Sequence, residues 1–474
     1  MRSVRLAPLA LALALAASAA QAQTAGTNFL FSTIAEQSRT AFTIQGTGSR
    51  AVGLGGSFLA LADDATAVSF NPAGLAQLLA PEFSVVTESL SRQQSFRGFK
   101  SGLQELSDTS SRDNRYAPLF FSATLPFRTA SRTVVVTFAY QRVVDFNFAA
   151  ERSLDLRASG LGATRRVTNA VNQDGAINVW SLGVGTELTP RLLLGASINL
   201  WRGEWDLSSR QSFSDSAAFL DIQQKNAFRG VNVNAGALWR SERLNVGLAY
   251  RSGFRAEYRI DGSFSALDDE NRPVTFPAQQ GQLDLAWPDA IGLGLAWKPH
   301  DRLTLTADSV RTRWSSTVLR GSFVSKDASG PAVDLSLDGA NFFDYLKASK
   351  TPDTKDLRAG VEWIAFLGDA LILPLRVGYF REPQPIVDRV TGQQRVLKGY
   401  TVGLGLKFKA LTLDLAFKDA KAENDVSKLF VLNGTFQQAV GREELREKRV
   451  YLTAILQLKG EGAKKALDWL FVGK

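Results

Sequence analysis

Few residues in this chain have the types and spacing that catalytic chemistry requires. Two carboxylates are adjacent at Asp63-Asp64, and three more stand together at Asp268-Asp269-Glu270. Adjacent carboxylates on a helix point apart, and no histidine accompanies Asp63 and Asp64, so acid–base catalysis is not expected there. Ion pairs with arginines, holding the segment in place, are the preferred role. The second group could bind Ca²⁺, but a solvated loop is the favoured interpretation.

Histidine and cysteine usage excludes most of the remaining catalytic and metal chemistry. The chain has a single histidine, His300, and no cysteine. His300 lies in Pro299-His300-Asp301 between two predicted strands, where a turn residue is expected. A Ser–His–acid set and a thiolate metal site are therefore not expected. We predict no enzymatic activity, no cofactor and no metal.

The elements that would position a site are strands, because apolar residues recur at every second position. Residues 192–201 and 291–297 show this alternation, and residues 411–418 show it with charges on one face. There Leu411, Leu413, Leu415 and Phe417 point one way, and Thr412, Asp414, Ala416 and Lys418 point the other. A period of two indicates strands. Charges on an inner face suit a watery lumen and would be costly in a dry sandwich core.

The connections between these strands alternate strictly between short turns and long polar loops. Short periplasmic turns and long extracellular loops are typical of outer-membrane barrels. The fold class predicted is therefore an all-β, 14-stranded antiparallel transmembrane β-barrel. The fourteen candidate strands are near 82–90, 118–127, 132–148, 175–188, 191–205, 229–240, 243–258, 285–298, 302–314, 355–366, 371–381, 398–409, 411–419 and 447–459.

The N-terminus and the composition agree with export to the bacterial outer membrane. Arg2 and Arg5 precede an apolar stretch that ends before Ala20-Gln21-Ala22, which is the pattern of a signal peptide over residues 1–22. Thirty Phe and nine Trp suit the aromatic girdles of a barrel, and 39 Gly suit its crowded inner wall. The net charge is +9, and the basic residues are interspersed with acidic ones rather than clustered. We therefore expect contact with outer-membrane lipid and lipopolysaccharide rather than with nucleic acid.

Residues 23–81 do not have the pattern of strands. Residues 46–58 are too rich in glycine for a stable strand or helix, and residues 59–67 have the composition of a short helix. Asn71-Pro72-Ala73-Gly74 is a turn signal, because Pro72 fixes its own φ and biases Asn71 away from the helical region. The small residues of this segment would allow it to pack closely inside a narrow space.

These motifs resemble the FadL/TodX family of outer-membrane transporters for hydrophobic compounds. The run through Asp63-Asp64 to Asn71-Pro72-Ala73-Gly74 resembles the hatch of that family. Residues 287–294, 303–315, 356–363 and 374–385 are similar to its barrel strands. The resemblance implies a barrel plugged by residues 23–81 and formed by residues 82–459. It also implies passive uptake of hydrophobic molecules such as long-chain fatty acids, with the hatch as gate and lateral exit through the wall.

A ligand carboxylate would require a lumenal cation in an otherwise apolar pocket. The alternation places Arg251, Arg358, Arg376 and Lys418 inside the barrel, where pairing with Glu362, Asp308 or Asp414 is the structural alternative. Phe342 and Phe343 in the longest loop are candidates for an outer capture groove, because exposed phenylalanines are not explained by solubility.

Two features leave an alternative open. The Gly-Leu-Gly-Gly-Ser-Phe run at 53–58 also resembles PorV-like barrels, which act as partners in protein secretion. A secreted protein is the partner implied by that alternative. The tail at 460–474 follows the last predicted strand, where family barrels usually end in an aromatic residue. It could be a short amphipathic helix at the inner leaflet or a disordered end.

Overall fold

A computed structural model describes the N-terminal segment from residue 47 and most of the barrel wall. The predicted signal peptide and the C-terminal tail lie outside the described residues. The residues described are 47–101, 104–128, 132–157, 164–267, 273–325, 335–336, 340–341, 352–368, 371–388, 391–432 and 435–458.

The wall is a closed antiparallel barrel of fourteen strands, as predicted. Four of the strands are given as two ranges each, three because a bend interrupts them and one because a short 3-10 helix does. The strands are β1 (Glu82–Ser101), β2 (Thr109–Arg128), β3 (Thr133–Asp145 and Phe148–Arg157), β4 (Thr164–Thr189), β5 (Leu192–Phe213), β6 (Phe219–Arg240), β7 (Leu244–Arg251 and Phe254–Leu267), β8 (Pro273–Trp287 and Ala290–His300), β9 (Leu303–Thr312, continued by Val318–Ser325 after a short 3-10 helix, Trp314–Ser316), β10 (Thr354–Leu367), β11 (Leu371–Val387), β12 (Gln394–Phe408), β13 (Leu411–Leu432) and β14 (Thr435–Gln457).

Closure is made by the first and last strands. β1 pairs with β14 from Glu82 opposite Gln457 to Lys100 opposite Val440. Because the first strand pairs with the last, the sheet has no terminal edge, which is what a lipid environment demands. His300 lies at the β8–β9 turn, as predicted, and its Nδ1 accepts a hydrogen bond from the Arg302 amide (3.2 Å).

Several strands are much longer than predicted. β1 continues to Ser101 and β13 to Leu432, so the predicted loops at 91–117 and 420–446 are largely paired strand. The predicted loop at 206–228 is likewise a hairpin of β5 and β6. The sequence signal fails there because the outward face of these extensions is polar and the inward face mixes polar with apolar side chains such as Leu207 and Val426. The apolar outward face that marks the rest of the wall is missing, although the backbone ladder continues.

The apolar set of each strand faces outward, as the alternation predicted. Leu293 is 51% exposed and Val377 is 55% exposed, whereas the inward Asp414 and Arg376 are 2% and 4% exposed. The burial of charged side chains and the exposure of aliphatic ones identify the outside as the apolar surface. The outward residues form a belt suited to lipid.

Residues 47–81 lie inside the barrel and form short helical pieces rather than strands. The helices are α1 (Ser49–Gly53), α2 (Ala67–Phe70) and a 3-10 helix, Pro72–Gln77. The predicted helix over 59–67 is wrong, because residues 59–61 form a turn and Ala62 has a positive φ of 36°. The glycine-rich run was expected to exclude a helix, but it contains α1, whose Ser49 amide bonds to Thr453 of the wall (2.8 Å).

None of the helices in the described part of the chain is long and apolar enough to cross a membrane.

Wall glycines let this segment approach the barrel backbone directly. A Cβ on Gly236 would lie 2.0 Å from Asn71 Oδ1, and one on Gly378 would lie 2.0 Å from the Gly55 nitrogen. Other inward glycines whose added Cβ would lie within 3.0 Å of backbone atoms of residues 53–76 are Gly185, Gly195, Gly247, Gly294, Gly360 and Gly403. The wall is therefore shaped to the backbone of the segment.

Substituting one of these glycines should dislodge the segment without breaking the barrel. Gly236→Val should displace Asn71, because inserting a side chain into a packed site costs about 1–3 kcal/mol. The expected result is increased leakage of small hydrophilic dyes from proteoliposomes, with heat-modifiable migration of the barrel retained. The neighbouring Ala235 faces lipid and is exposed, so Ala235→Val is the matched control. Equal leakage from both variants would contradict the packing argument.

Candidate functional site

Charged residues of the wall hold the N-terminal segment through Arg50. Its Nε and Nη2 atoms donate to the two carboxylate oxygens of Glu362 on β10, both at 3.0 Å. Glu362 also accepts from Arg376 on β11 (2.6 Å), and Arg376 in turn binds Asp414 on β13. A bidentate arginine–carboxylate contact in a buried site fixes orientation as well as charge balance. Arg50 is therefore the ionic anchor of the segment.

A second buried ion cluster lies on the same side of the lumen. Arg358 on β10 pairs with Asp356 (2.9 Å) and with Glu382 on β11 (3.4 Å). Lys418 on β13 is 3.6 Å from Glu382 and lies over the ring of Phe380 at 4.0 Å. Three of the cations predicted to contact a ligand, Arg358, Arg376 and Lys418, thus have carboxylate partners in the protein, which is the structural role weighed against ligand binding.

Two further anchors, both made by hydrogen bonds that involve backbone groups, complete the attachment. The carboxylate of Asp308 on β9 accepts hydrogen bonds from the backbone amides of Phe58 (2.7 Å) and Leu59 (3.0 Å). Asn71 donates from Nδ2 to the carbonyl oxygens of Leu59 (2.8 Å) and Ala237 (3.1 Å), and its Oδ1 caps the 3-10 helix at Ala73. Asn71 thus ties two parts of the segment to β6, and Pro72 occupies the first helical position, where its missing N–H costs nothing.

Of the pair Asp63-Asp64, expected to form ion pairs with lumenal arginines, only Asp63 does so, and its partner lies in the segment rather than in the wall. Asp63 pairs with Arg50 of the same segment. Asp64 is buried, and it accepts hydrogen bonds from the amide (2.9 Å) and hydroxyl groups of Thr66. The local turn explains why Asp64 has no arginine partner, because its carboxylate is already occupied by the short-range hydrogen bonds from Thr66.

The opposite side of the lumen is lined by aromatic side chains. This aromatic cluster lies beyond the N-terminal segment, on the side of the long connections. Phe146 stacks on Trp205 with ring centroids 4.2 Å apart, and Trp205 stacks on Tyr258 at 5.7 Å. Its members are Phe146, Trp201, Trp205, Phe228, Phe254, Tyr258, Trp287 and Trp314. The sequence prediction missed this cluster, although tryptophan on the small-residue face of residues 192–201 was a signal for it.

Arg251 lies at the base of the aromatic cluster. It follows Gly247, which contacts the N-terminal segment, and precedes the cluster residue Phe254 on the same strand. Its side chain is on the inward face, because the adjacent Tyr250 is 44% exposed toward lipid. Within the part of the chain that the structure describes, the guanidinium group of Arg251 makes no hydrogen bond or ion pair. It therefore differs from the other three predicted cations.

The wall has a window between β2 and β3. The ladder that joins them runs only from Phe120 opposite Gln141 to Arg128 opposite Thr133. Above that pair, β3 bends at residues 146–147 and loses its pairing with β2, while its pairing with β4 continues. The side chain of Arg115 on β2 crosses the window, donating to the carbonyl oxygens of Asp145 (3.1 Å) and Asn147 (2.9 Å). The window is closed farther out by a short strand, Gln104–Leu106, paired with the end of β3.

Some predicted residues cannot be placed. Phe342 and Phe343, proposed for the outer capture groove, and the acidic run at 268–270 lie outside the described residues. A groove of about 580 Å³ is present on the extensions of β3 to β6, with Ala149, Val171 and Ser209 among its lining residues.

A plugged, fourteen-stranded barrel with an apolar outer belt defines an outer-membrane transport barrel. Three crystal structures similar in fold are a Pseudomonas aeruginosa FadL homologue (14% identity, TM-score 0.62, 89% of this chain and all of that one), the Pseudomonas putida toluene transporter TodX (14%, 0.60, 88% and all) and the Ralstonia pickettii toluene transporter TbuX (16%, 0.57, 88% and all). No curated protein matches the sequence.

The family model described as outer membrane protein transport protein (OMPP1/FadL/TodX) matches residues 19–331. The chain belongs to this family, which confirms the resemblance and locates the protein in the bacterial outer membrane. Two of the similar structures are toluene transporters, and together with the family they support an outer-membrane transporter of hydrophobic compounds rather than the secretion-partner alternative.

The burial of Asp64 predicts that the segment is held more firmly at acidic pH. Burial raises the pKa of Asp64 from 3.8 to about 7, outweighing the hydrogen bond from Thr66; Glu82 and Asp63 raise the pKa further, and Arg50 opposes them. Because the pKa is higher in the folded chain, the contribution of this carboxyl to stability is lost as the pH rises through about 7. Hydrogen exchange of residues 61–70, corrected for intrinsic rates, should therefore be faster at pH 8 than at pH 5.5.

Asp64→Asn is the matched variant for this measurement, because the amide keeps an acceptor for Thr66 but does not titrate. Its exchange should lose the pH dependence. An unchanged dependence in the variant would assign the effect to another group.

Proposed function

We propose that this protein is a passive channel for hydrophobic molecules that carry an anionic end group, with long-chain fatty acids as the substrate class. The observation that carries this proposal is the position of Arg251. A cation without a partner among the described residues lies beside an aromatic lining, and that combination suits a carboxylate on an apolar chain. The arginine would bind the carboxylate, and the rings would contact the alkyl chain.

The path begins at the extracellular end, where long paired extensions surround the mouth. A ligand entering from there meets the aromatic cluster before it meets the N-terminal segment. Passage requires the rings to change rotamer, because they are in contact with one another, for example Trp201 with Trp287 at 5.6 Å between centroids. The groove on β3 to β6 and the loop that carries Phe342 and Phe343 are the proposed capture surfaces outside.

Residues 23–81 are proposed to act as the hatch that gates this path. Arg50, Asp308 and Asn71 hold the described part of the segment to three strands of the wall, so the direct route to the periplasm is blocked. The tight pieces at 53–60 and 71–76 lie against wall glycines. Asp63, Asp64 and the Asn71-Pro72-Ala73-Gly74 turn are proposed as the gating elements, because they join these two pieces.

Lateral exit through the window between β2 and β3 is the proposed last step. Phe146 belongs to the aromatic cluster and lies at the bend of β3, so the apolar lining leads to the window. Opening the window would break two hydrogen bonds of Arg115, at a net cost of about 1.5–3 kcal/mol for each bond to a charged donor, and its ion pair with Asp145 (3.3 Å). A ligand leaving here enters lipid and avoids water.

The substrate class is tested by comparing a fatty acid with a hydrocarbon. Arg251→Met should weaken binding of a radiolabelled long-chain fatty acid by about tenfold or more, because a charge-assisted bond worth about 1.5–3 kcal/mol is lost. Toluene has no carboxylate, so its binding should change less than twofold. Arg229→Met removes an exposed arginine on the outward face of β6 and is the control.

Three results would contradict this assignment. Unchanged fatty-acid binding in Arg251→Met would remove Arg251 from the site. An equal loss for toluene would show a packing defect. An equal loss in Arg229→Met would show an effect of net charge.

The gate is tested at the turn. A Cβ on Gly74 would lie 2.0 Å from the Ala62 carbonyl oxygen, so Gly74→Ala must push the two pieces of the segment apart. Pro72→Ala should loosen the turn by releasing φ. Both variants should raise leakage of small hydrophilic dyes into liposomes while the barrel still assembles. Unchanged permeability in both would contradict the gating role.

A further inference from the structure

Four cations lie directly opposite one another on the outward face of β11 to β14. Arg381 pairs in register with Lys398, Lys398 with Lys421, and Lys421 with Arg446. We call these residues the basic row. Like charges directly opposite on neighbouring strands destabilise a sheet. The row therefore favours a compensating anion.

Half of the basic row has carboxylate partners. Lys421 pairs with Glu423 and with Glu444 (3.4 Å), and Arg446 pairs with Asp419 (2.6 Å). The side chains of Arg381 and Lys398 are both exposed. Neither side chain makes an ion pair or a hydrogen bond to any described residue. The uncompensated charge is thus concentrated at these two side chains.

This end of the row lies at the border of the apolar belt. Two residues closer to the belt centre, Tyr379 and Tyr400 are opposite each other, with ring centroids 5.4 Å apart. Tyr400 is 68% exposed, and the next outward pair includes Val402, 51% exposed. Cations above tyrosines above aliphatic residues match, in order, a phosphate, a sugar and an acyl chain.

We propose that Arg381 and Lys398, with Tyr379 and Tyr400 beneath them, form a binding site for the lipid A part of lipopolysaccharide. The site lies on the side of the long connections, which is the extracellular side of an outer-membrane barrel and faces the lipopolysaccharide leaflet. The cations bind a phosphate of the diglucosamine headgroup. The tyrosine rings contact the sugar, and the acyl chains lie on the belt. This inference does not depend on the transported substrate.

Native mass spectrometry of protein refolded in detergent without lipid tests the site. Titration with bis-phosphorylated lipid A should give a saturable one-to-one adduct. The double variant Arg381→Gln with Lys398→Gln should weaken the adduct by about tenfold. Wild-type protein should bind dephosphorylated lipid A as weakly as the variant binds the phosphorylated form. Heat-modifiable migration verifies that the variant barrel is folded.

A second outward pair supplies the matched control. Arg202 and Arg229 are also exposed and directly opposite, but the residues two positions closer to the belt are Leu200 and Val231. Arg202→Gln with Arg229→Gln removes the same charge and should leave lipid A binding within twofold of wild type. An equal loss there would show that overall charge, and not this site, holds the lipid. Equally tight binding of phosphatidylglycerol, lost in the same variant, would overturn the assignment to lipid A.

Discussion

The structure depends on the requirement that a buried backbone must have all its polar groups satisfied, even inside a barrel. Residues 47–81 are not a strand of the wall, so their N–H and C=O groups cannot join its ladder. They are satisfied instead by short turns, by wall side chains such as Asp308 and Thr453, and by Asn71 of the segment itself. Glycines on the wall bring the two backbones close enough for this arrangement. The position of the plug therefore follows from the composition of the wall.

The lumen has two chemically different sides, one lined by ion pairs and the other by aromatic rings. Ion pairs centred on Glu362 and Glu382 lie on β10 to β13, and those of Glu362 include the anchor Arg50 of the N-terminal segment. Aromatic rings lie on β3 to β9, with Arg251 at their base. A charge paired in the protein stabilises the architecture, whereas a charge without a partner among the described residues is available to a ligand. Arg251 and Arg376 both face inward in the alternation, but among the described residues only Arg376 has carboxylate partners.

The alternation predicted the barrel, its strand number and which side chains face inward, because burial on one face of a strand imposes a period of two. It could not predict the length of the extensions, where the outward face is polar, nor the window, which depends on register between β2 and β3. Arg50 was not predicted as an anchor, because its partner Glu362 is more than three hundred residues away and only closure brings them together. Ion pairing was foreseen as the structural alternative for the lumenal cations, and Arg376 has the expected partners, Glu362 and Asp414. The partners of Arg358 and Lys418 were not foreseen, because the side chains meet only in the folded wall.

The paired extensions have a consequence for where uptake begins. β13 and β14 form an unbroken hairpin of more than twenty residues each, and about half of that length lies beyond the apolar belt. At about 3.3 Å per residue and a tilt near 40°, this raises the mouth roughly 25 Å above the lipid boundary. The barrel wall therefore continues through the sugar layer of the cell surface. A hydrophobic molecule that reaches its rim need not dissolve in that layer at all.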